Sequence, residues 1–246
     1  MIAEEDLQIQ TADGMAEAIL YRHDTPMPGV IHLTDIVGMR TSHREMARRL
    51  AGEGYAVLMP NIFYRTGQPP LFDFKPHFAG DERTMARLGE LSRPLTADAM
   101  ERDGSTFVSF LAAQPSVREG LMGIVGYCIA GRMALLTAAA RPDRIGLAVS
   151  WHGGSLVTDR PDSPHLVLPR VKARLYFGHA VNDRSMPADA IDAFDAALEA
   201  WGGQYESEVY DRALHGWTVP DSAAYNEIQA ERAFGKLTEA LKATIA

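Results

Sequence analysis

Leu121-Met122-Gly123-Ile124-Val125-Gly126-Tyr127-Cys128-Ile129-Ala130-Gly131-Arg132 is the stretch that decides how this chain is read. The apolar run Leu121 to Gly126 has the length of a buried strand, and Gly131 to Ala140 follows as a buried helix. Cys128 therefore sits on a sharp strand-to-helix turn, where its thiol stands exposed above a sheet. The first helix amides face such a thiol, which favours a thiolate and later an oxyanion. Small residues flank the turn because the backbone there is tight and close to its neighbours. A buried structural cysteine is the commoner role of a lone Cys. A dinucleotide-binding glycine loop is the other alternative, but that belongs on a first strand–helix–strand unit.

Working outward, short apolar runs alternate with helical patterns. Gly29 to Thr34, Tyr55 to Pro60, Ile145 to Ser150, Arg174 to Gly178 and Gln204 to Tyr210 read as strands. Ser42 to Glu53, Ala188 to Trp201 and Asp221 to Ile245 read as helices, as does Asp81 to Ala113 with a break at Pro94. A loop rich in Pro, Gly and Phe runs from Tyr64 to Phe78. Strand–helix alternation predicts a single α/β domain over residues 1–246, with a mostly parallel central sheet and helices on both faces. Ligands of such sheets bind beyond the carboxyl ends of the strands, so the residues just after each strand are the ones to examine.

Composition narrows the class. The 246 residues are 46% hydrophobic and 23% charged, an ordinary globular balance. Acidic residues (32) exceed basic ones (24), and with no Lys/Arg block a nucleic-acid partner is not expected. The acidic N-terminus, Met1 to Asp6, lacks the order of a secretory signal. Arg132 and four glycines interrupt the most apolar stretch, so no membrane span is expected either. One cysteine allows no intrachain disulfide, and the cytoplasm is the simplest compartment.

Two later strand ends join Cys128. Phe177-Gly178-His179-Ala180-Val181-Asn182-Asp183 places an aspartate after the next-to-last strand, and Leu214-His215-Gly216-Trp217 follows the last. Nucleophile, acid and histidine in that order is the arrangement α/β-hydrolases use. A thiol is mostly protonated at neutral pH, and a histidine oriented by a carboxylate can take its proton. Asp183 alone reads equally as a turn or cap residue, and His215 competes with seven other histidines. After the first strong strand, Asp35-Ile36-Val37-Gly38 can turn an amide, that of Ile36, toward the nucleophile. With the Ile129 amide it would form an oxyanion hole. His152-Gly153-Gly154 comes after the nucleophile strand and reads as a turn.

On these residues the chain resembles the dienelactone hydrolase family of α/β-hydrolases: Gly126 to Gly131, Asp183 in its Gly178-His179-x-x-x-Asp183 context, His215-Gly216-Trp217 and Asp35 to Gly38. The resemblance implies a Cys128-Asp183-His215 triad and hydrolysis of a small ester or lactone without metal or cofactor. It has departures. The family carries a glutamate that meets the resting thiol where this chain has Asp35, so Asp35 is expected to modulate the thiol or merely to satisfy loop amides. Ala130 replaces a family glycine, and Val219 stands where a substrate-binding arginine would be. Tyr64, Phe72 and Phe74 of the loop, with Arg83, Arg87 and Trp217, are the remaining candidates to contact substrate. A non-catalytic ligand binder, or a sensor of oxidants through Cys128, is the alternative from another class.

Overall fold

The computed structural model describes residues 2–78 and 80–246. The chain opens with an antiparallel hairpin, β1 (Ala3–Thr11) and β2 (Gly14–Arg22), which the sequence reading did not anticipate. The other strands are β3 (Gly29–Leu33), β4 (Ala56–Pro60), β5 (Met122–Tyr127), β6 (Ile145–Trp151), β7 (Arg174–Ala180) and β8 (Tyr205–Tyr210). They form one sheet in the order β1-β2-β4-β3-β5-β6-β7-β8. From β4 to β8 every pairing is parallel, while β1 and β2 are antiparallel additions at one edge.

Among the described residues six α-helices cover the sheet: α1 (Thr41–Gly52), α2 (Glu82–Ser92), α3 (Ala97–Ala112), α4 (Ile129–Ala140), α5 (Ala188–Trp201) and α6 (Glu227–Ile245). Side chains of successive strand residues point to opposite faces, so the buried strands feed two cores. Ile124 of β5 and Phe177 of β7 join residues of α2 to α5 on one face. Val125 and Tyr176, one residue away in each strand, join α1 and α6 on the other. The expected α/β architecture with both faces covered is what the chain adopts.

One boundary falls as expected and another differs. The helical region after the long loop splits as expected around Pro94, with Thr96 capping α3 through the Ala99 amide at 3.2 Å. The last helix begins at Glu227, not Asp221, because Asn226 supplies the N-cap. Residues 214–225 instead close successive turns, Trp217 N–H donating to Leu214 O and Val219 N–H to Gly216 O. That turn-rich segment carries His215. No described helix is long and apolar enough to cross a membrane.

Candidate active site

Cys128 occupies the expected corner between β5 and α4, in a conformation few L-residues adopt, with φ 57° and ψ −126°. Such a residue costs on the order of 1–3 kcal/mol and persists only where its surroundings hold it. Its N–H donates to Trp151 O at 3.0 Å, and its carbonyl accepts from Gly131 N–H at 2.9 Å. The corner is so tight that a Cβ on Gly126 would lie 2.1 Å from Ala130 O. One on Gly131 would lie 2.2 Å from Ser150 Oγ. These close approaches explain the small residues around the cysteine.

The two loops after β7 and β8 bring the other expected residues to it. His215 Nε2 lies 3.0 Å from Cys128 Sγ. On the far side of the ring, Nδ1 donates to Asp183 Oδ2 at 2.6 Å. The remaining carboxylate oxygen accepts from the Ser185 amide at 2.8 Å and its hydroxyl at 2.7 Å. Val181 N–H donates to Ala213 O at 2.8 Å, stitching the aspartate loop to the histidine loop. Cys128, His215 and Asp183 thus stand in one hydrogen-bonded line.

The electrostatics follow from that line. Burial pushes the Asp183 carboxyl up, but hydrogen bonds from His215 and Ser185 outweigh it and hold it at about 2. Burial works against a charged His215 ring, while negative charge on the Cys128 sulfur and on Asp183 raises the ring to about 10. The arrangement therefore favours an imidazolium facing the sulfur.

Beneath His215 lies His152, with ring centroids 5.1 Å apart. Its Nε2 is 2.8 Å from Thr218 Oγ1, and burial holds it well below the ordinary histidine range. A neutral ring thus packs edge-on against His215. His152 stands at a bend directly after β6, where its sequence alone signals no contact with His215. His179, the other nearby histidine, stays in β7 with Ser207 and takes no part.

Asp35 ends in a clamp. Its carboxylate accepts two hydrogen bonds from Arg40, at 2.7 and 2.8 Å, and one from Val37 N–H at 2.9 Å. Arg40 also reaches Asp221, at 2.7 and 2.9 Å, so one guanidinium ties the loop after β3 to the segment that follows His215. Below, Asp35 N–H donates to His43 Nε2 at 3.3 Å. The same Nε2 lies 3.4 Å from Asp35 Oδ2, and the other ring nitrogen, Nδ1, lies 2.8 Å from His32 Nε2. Burial raises the Asp35 carboxyl, but His43 and Arg40 take it far below the usual carboxylate range. None of the hydrogen bonds of Asp35 reaches Cys128. The neighbouring amides of Asp35 and Val37 are engaged, and Ile36 N–H has no acceptor among the described residues. Ile129, first residue of α4, carries one of the orphan amides every helix N-terminus leaves.

A cleft of about 750 Å³ opens over Cys128 and His215, with Ile129, Asp183, Leu214 and Arg184 in its walls. The expected substrate-contacting residues are elsewhere. Phe72 is buried in the main core and meets Phe74 edge-on at 5.6 Å, so these rings pin the loop to the body. Tyr64 donates to Asp103 at 3.0 Å. Arg83 covers Phe74 and pairs with Asp73, and Arg87 bonds Leu71 O and Glu90. Trp217 is fully buried against Tyr210 and His152. Each has a packing partner that removes it from the cleft. In their place the wall presents Arg132, Ser92 and Ser155. Arg132 had a visible signal: a charge within an otherwise apolar helix, four residues after Cys128.

Residues 16–245 match the family model described as "Dienelactone hydrolase family". The chain belongs to that family. It is 27% identical over 225 residues to a protein of Escherichia coli strain K12 named "Putative carboxymethylenebutenolidase", covering 89% of this chain and 78% of that one. A carboxymethylenebutenolidase of Rhodococcus opacus is 26% identical over 189 residues, covering 76% and 69% of the two chains. The crystal structure titled "Putative Dienelactone Hydrolase", from Klebsiella pneumoniae, superposes with a TM-score of 0.84 at 25% identity, over 97% of this chain and 98% of its own. This dienelactone hydrolase family member is accordingly an ester or lactone hydrolase with an α/β-hydrolase fold.

Proposed function

We propose that the chain hydrolyses a small carboxylic ester or lactone with Cys128 as nucleophile, through an acyl-thioester. The observation that carries this reading is His215, with Nε2 at 3.0 Å from Cys128 Sγ and Nδ1 on Asp183. The sulfur, its proton held by His215, attacks the carbonyl carbon, and the carbonyl electrons move onto oxygen. The Ile36 and Ile129 amides receive that oxyanion. Collapse expels the alkoxide, which takes the proton from His215, and leaves the acyl group on sulfur. Water then gives a proton to His215 and attacks the thioester. Acid is released and the sulfur–imidazolium pair restored. Asp183 keeps the ring in the tautomer and orientation both halves require.

No residue outside this line is needed for proton transfer, so metal and cofactor have no assigned role in the scheme. A single free thiol that must stay reduced fits the cytoplasm as its place of work.

Ester and lactone panels on the wild type and on Cys128→Ala test the proposal. A burst of product stoichiometric with enzyme, an acyl adduct on Cys128 by mass spectrometry, and loss of both in the variant are expected. Undiminished turnover by Cys128→Ala would remove the cysteine from the mechanism. A chain without turnover whose Cys128 oxidises reversibly would make it a sensor instead.

A further inference from the structure

Arg132 lies one helical turn beyond Cys128 on α4, an otherwise apolar helix packed into the core. Its Nε is out of contact with solvent and has no hydrogen-bond partner, and no ion pair holds the guanidinium among the described residues. This contrasts with Arg40, Arg65 and Arg170, each locked onto carboxylates. A guanidinium stays charged in a protein and offers five donors in a planar fork, so an unmatched one at a cavity wall points to an acceptor supplied from outside.

The cavity is there. A second chamber of about 400 Å³ adjoins the cleft over Cys128, and Ser92, Arg132 and Ser155 line both. Leu95, Met100 and Leu136 give it apolar wall, and Thr96 and Thr158 bring hydroxyls. Arg93 and Arg160 join Arg132 against a single carboxylate, Asp162. That carboxylate is already paired with Arg160 at 2.8 and 2.9 Å. In a chain of formal charge −8 this is a locally basic chamber. None of its walls comes from the loops that carry Asp183 and His215. His215 must reach the leaving oxygen, so the alcohol part departs on its side. The chamber is left for the acyl part.

We propose that this chamber is an acyl subsite and that Arg132 selects acyl chains ending in a carboxylate. The substrate is then an elongated ester of a dicarboxylic acid, with its methylenes along Leu95, Met100 and Leu136 and its free carboxylate on the Arg132 fork. The assignment rests on the hydrolase reading above and adds a substrate class to it. Val219, Arg83 and Arg87, where the family resemblance looks for a carboxylate-binding group, cannot serve: the first is a buried valine and the other two are engaged outside the cleft.

The test compares mono-4-nitrophenyl esters of the dicarboxylic acids from succinate to suberate with their neutral methyl esters. The quantity read is the ratio of kcat/KM, anionic over neutral, in the wild type, Arg132→Met and Arg132→Lys. One charged hydrogen-bonded contact predicts a ratio at least about tenfold lower in Arg132→Met, with partial retention in Arg132→Lys. The Tm of Arg132→Met should hold or rise, because an unpaired charge leaves the interior. An unchanged ratio overturns the subsite. So does an equal fall on both esters with a shifted alkylation profile of Cys128, which would make Arg132 a support for the sulfur. Calorimetric titration of monomethyl suberate into Cys128→Ala, with and without Arg132→Met, separates the two readings. Weaker binding in the double variant is expected even if no ester is turned over, and equal binding in both overturns the subsite while leaving the hydrolase reading intact.

Discussion

The ring of His152 meets the ring of His215 edge-on, with centroids 5.1 Å apart and planes at 63°. His152 is buried, held neutral, and anchored on Thr218, so His215, the base of the proposed mechanism, rests on an uncharged support that cannot tilt freely. Replacing it should loosen the base without touching substrate. His152→Ala is expected to lower kcat by about tenfold, since small misplacements of a catalytic group are costly, while KM changes little. A parallel rise in KM with kcat preserved would show that His152 shapes the cleft instead.

Cys128 and His215 share one hydrogen bond, and a nucleophile and its base act as a unit. Each alanine variant should lose a few orders of magnitude in acylation. The double variant should lose little more than either single one. Kinetics on a chromogenic ester decide, and full additivity would separate the two residues functionally.

His215 is expected to titrate at about 10, well above an ordinary histidine, when its ring resonances are followed with pH. Asp183→Asn and Cys128→Ala should each move the midpoint down toward the ordinary value near 6.5. The sign for stability follows. A folded value above the unfolded one favours the folded chain fully below about pH 6.5, and the gain is lost as pH rises through about 10. Wild type and Cys128→Ala should therefore converge in Tm over that interval. A wild-type midpoint near 6.5 would contradict the charged pair.

The strands from β3 to β7 were legible because parallel strands, buried on both faces, read as continuous apolar runs, and with them the order of the three central residues. The hairpin of β1 and β2 was not. Its outer strand alternates exposed Glu4, Asp6 and Gln8 with Leu7, Ile9 and Thr11, and Ala12-Asp13 forms the turn into β2 at Gly14. The charge masked that alternation. The substrate-contacting candidates went astray for another reason. Aromatic residues in a long loop can line a cleft or pin the loop, and only packing partners, such as Phe74 for Phe72, tell which. Arg132 was visible as a charge in an apolar helix, but its lack of a partner is a fact of three dimensions.

Because Phe72 belongs to the core, Phe72→Ala should cost about 3–5 kcal/mol, a Tm drop of roughly 6–20 °C. The relative rates on short and bulky acyl substrates should stay as they are. Altered acyl preference at unchanged Tm would return this ring to the pocket.

Asp35 decides between two pictures of the loop after β3. If its carboxylate governed the sulfur, Asp35→Asn would let iodoacetamide alkylate Cys128 at lower pH. The geometry favours the other picture. Both carboxylate oxygens serve Arg40, which carries the same clamp to Asp221 beyond His215. An asparagine keeps the shape but gives Arg40 a neutral partner and can present only one carbonyl oxygen to its fork. Arg40 and Asp35 are largely shielded from water, so the loss should be about 1–3 kcal/mol, a Tm lower by roughly 2–12 °C. The loop that presents the Ile36 amide should also loosen, lowering kcat with little change in KM, while the alkylation profile of Cys128 stays in place. Alkylation moved to lower pH at unchanged Tm would assign Asp35 to the sulfur after all.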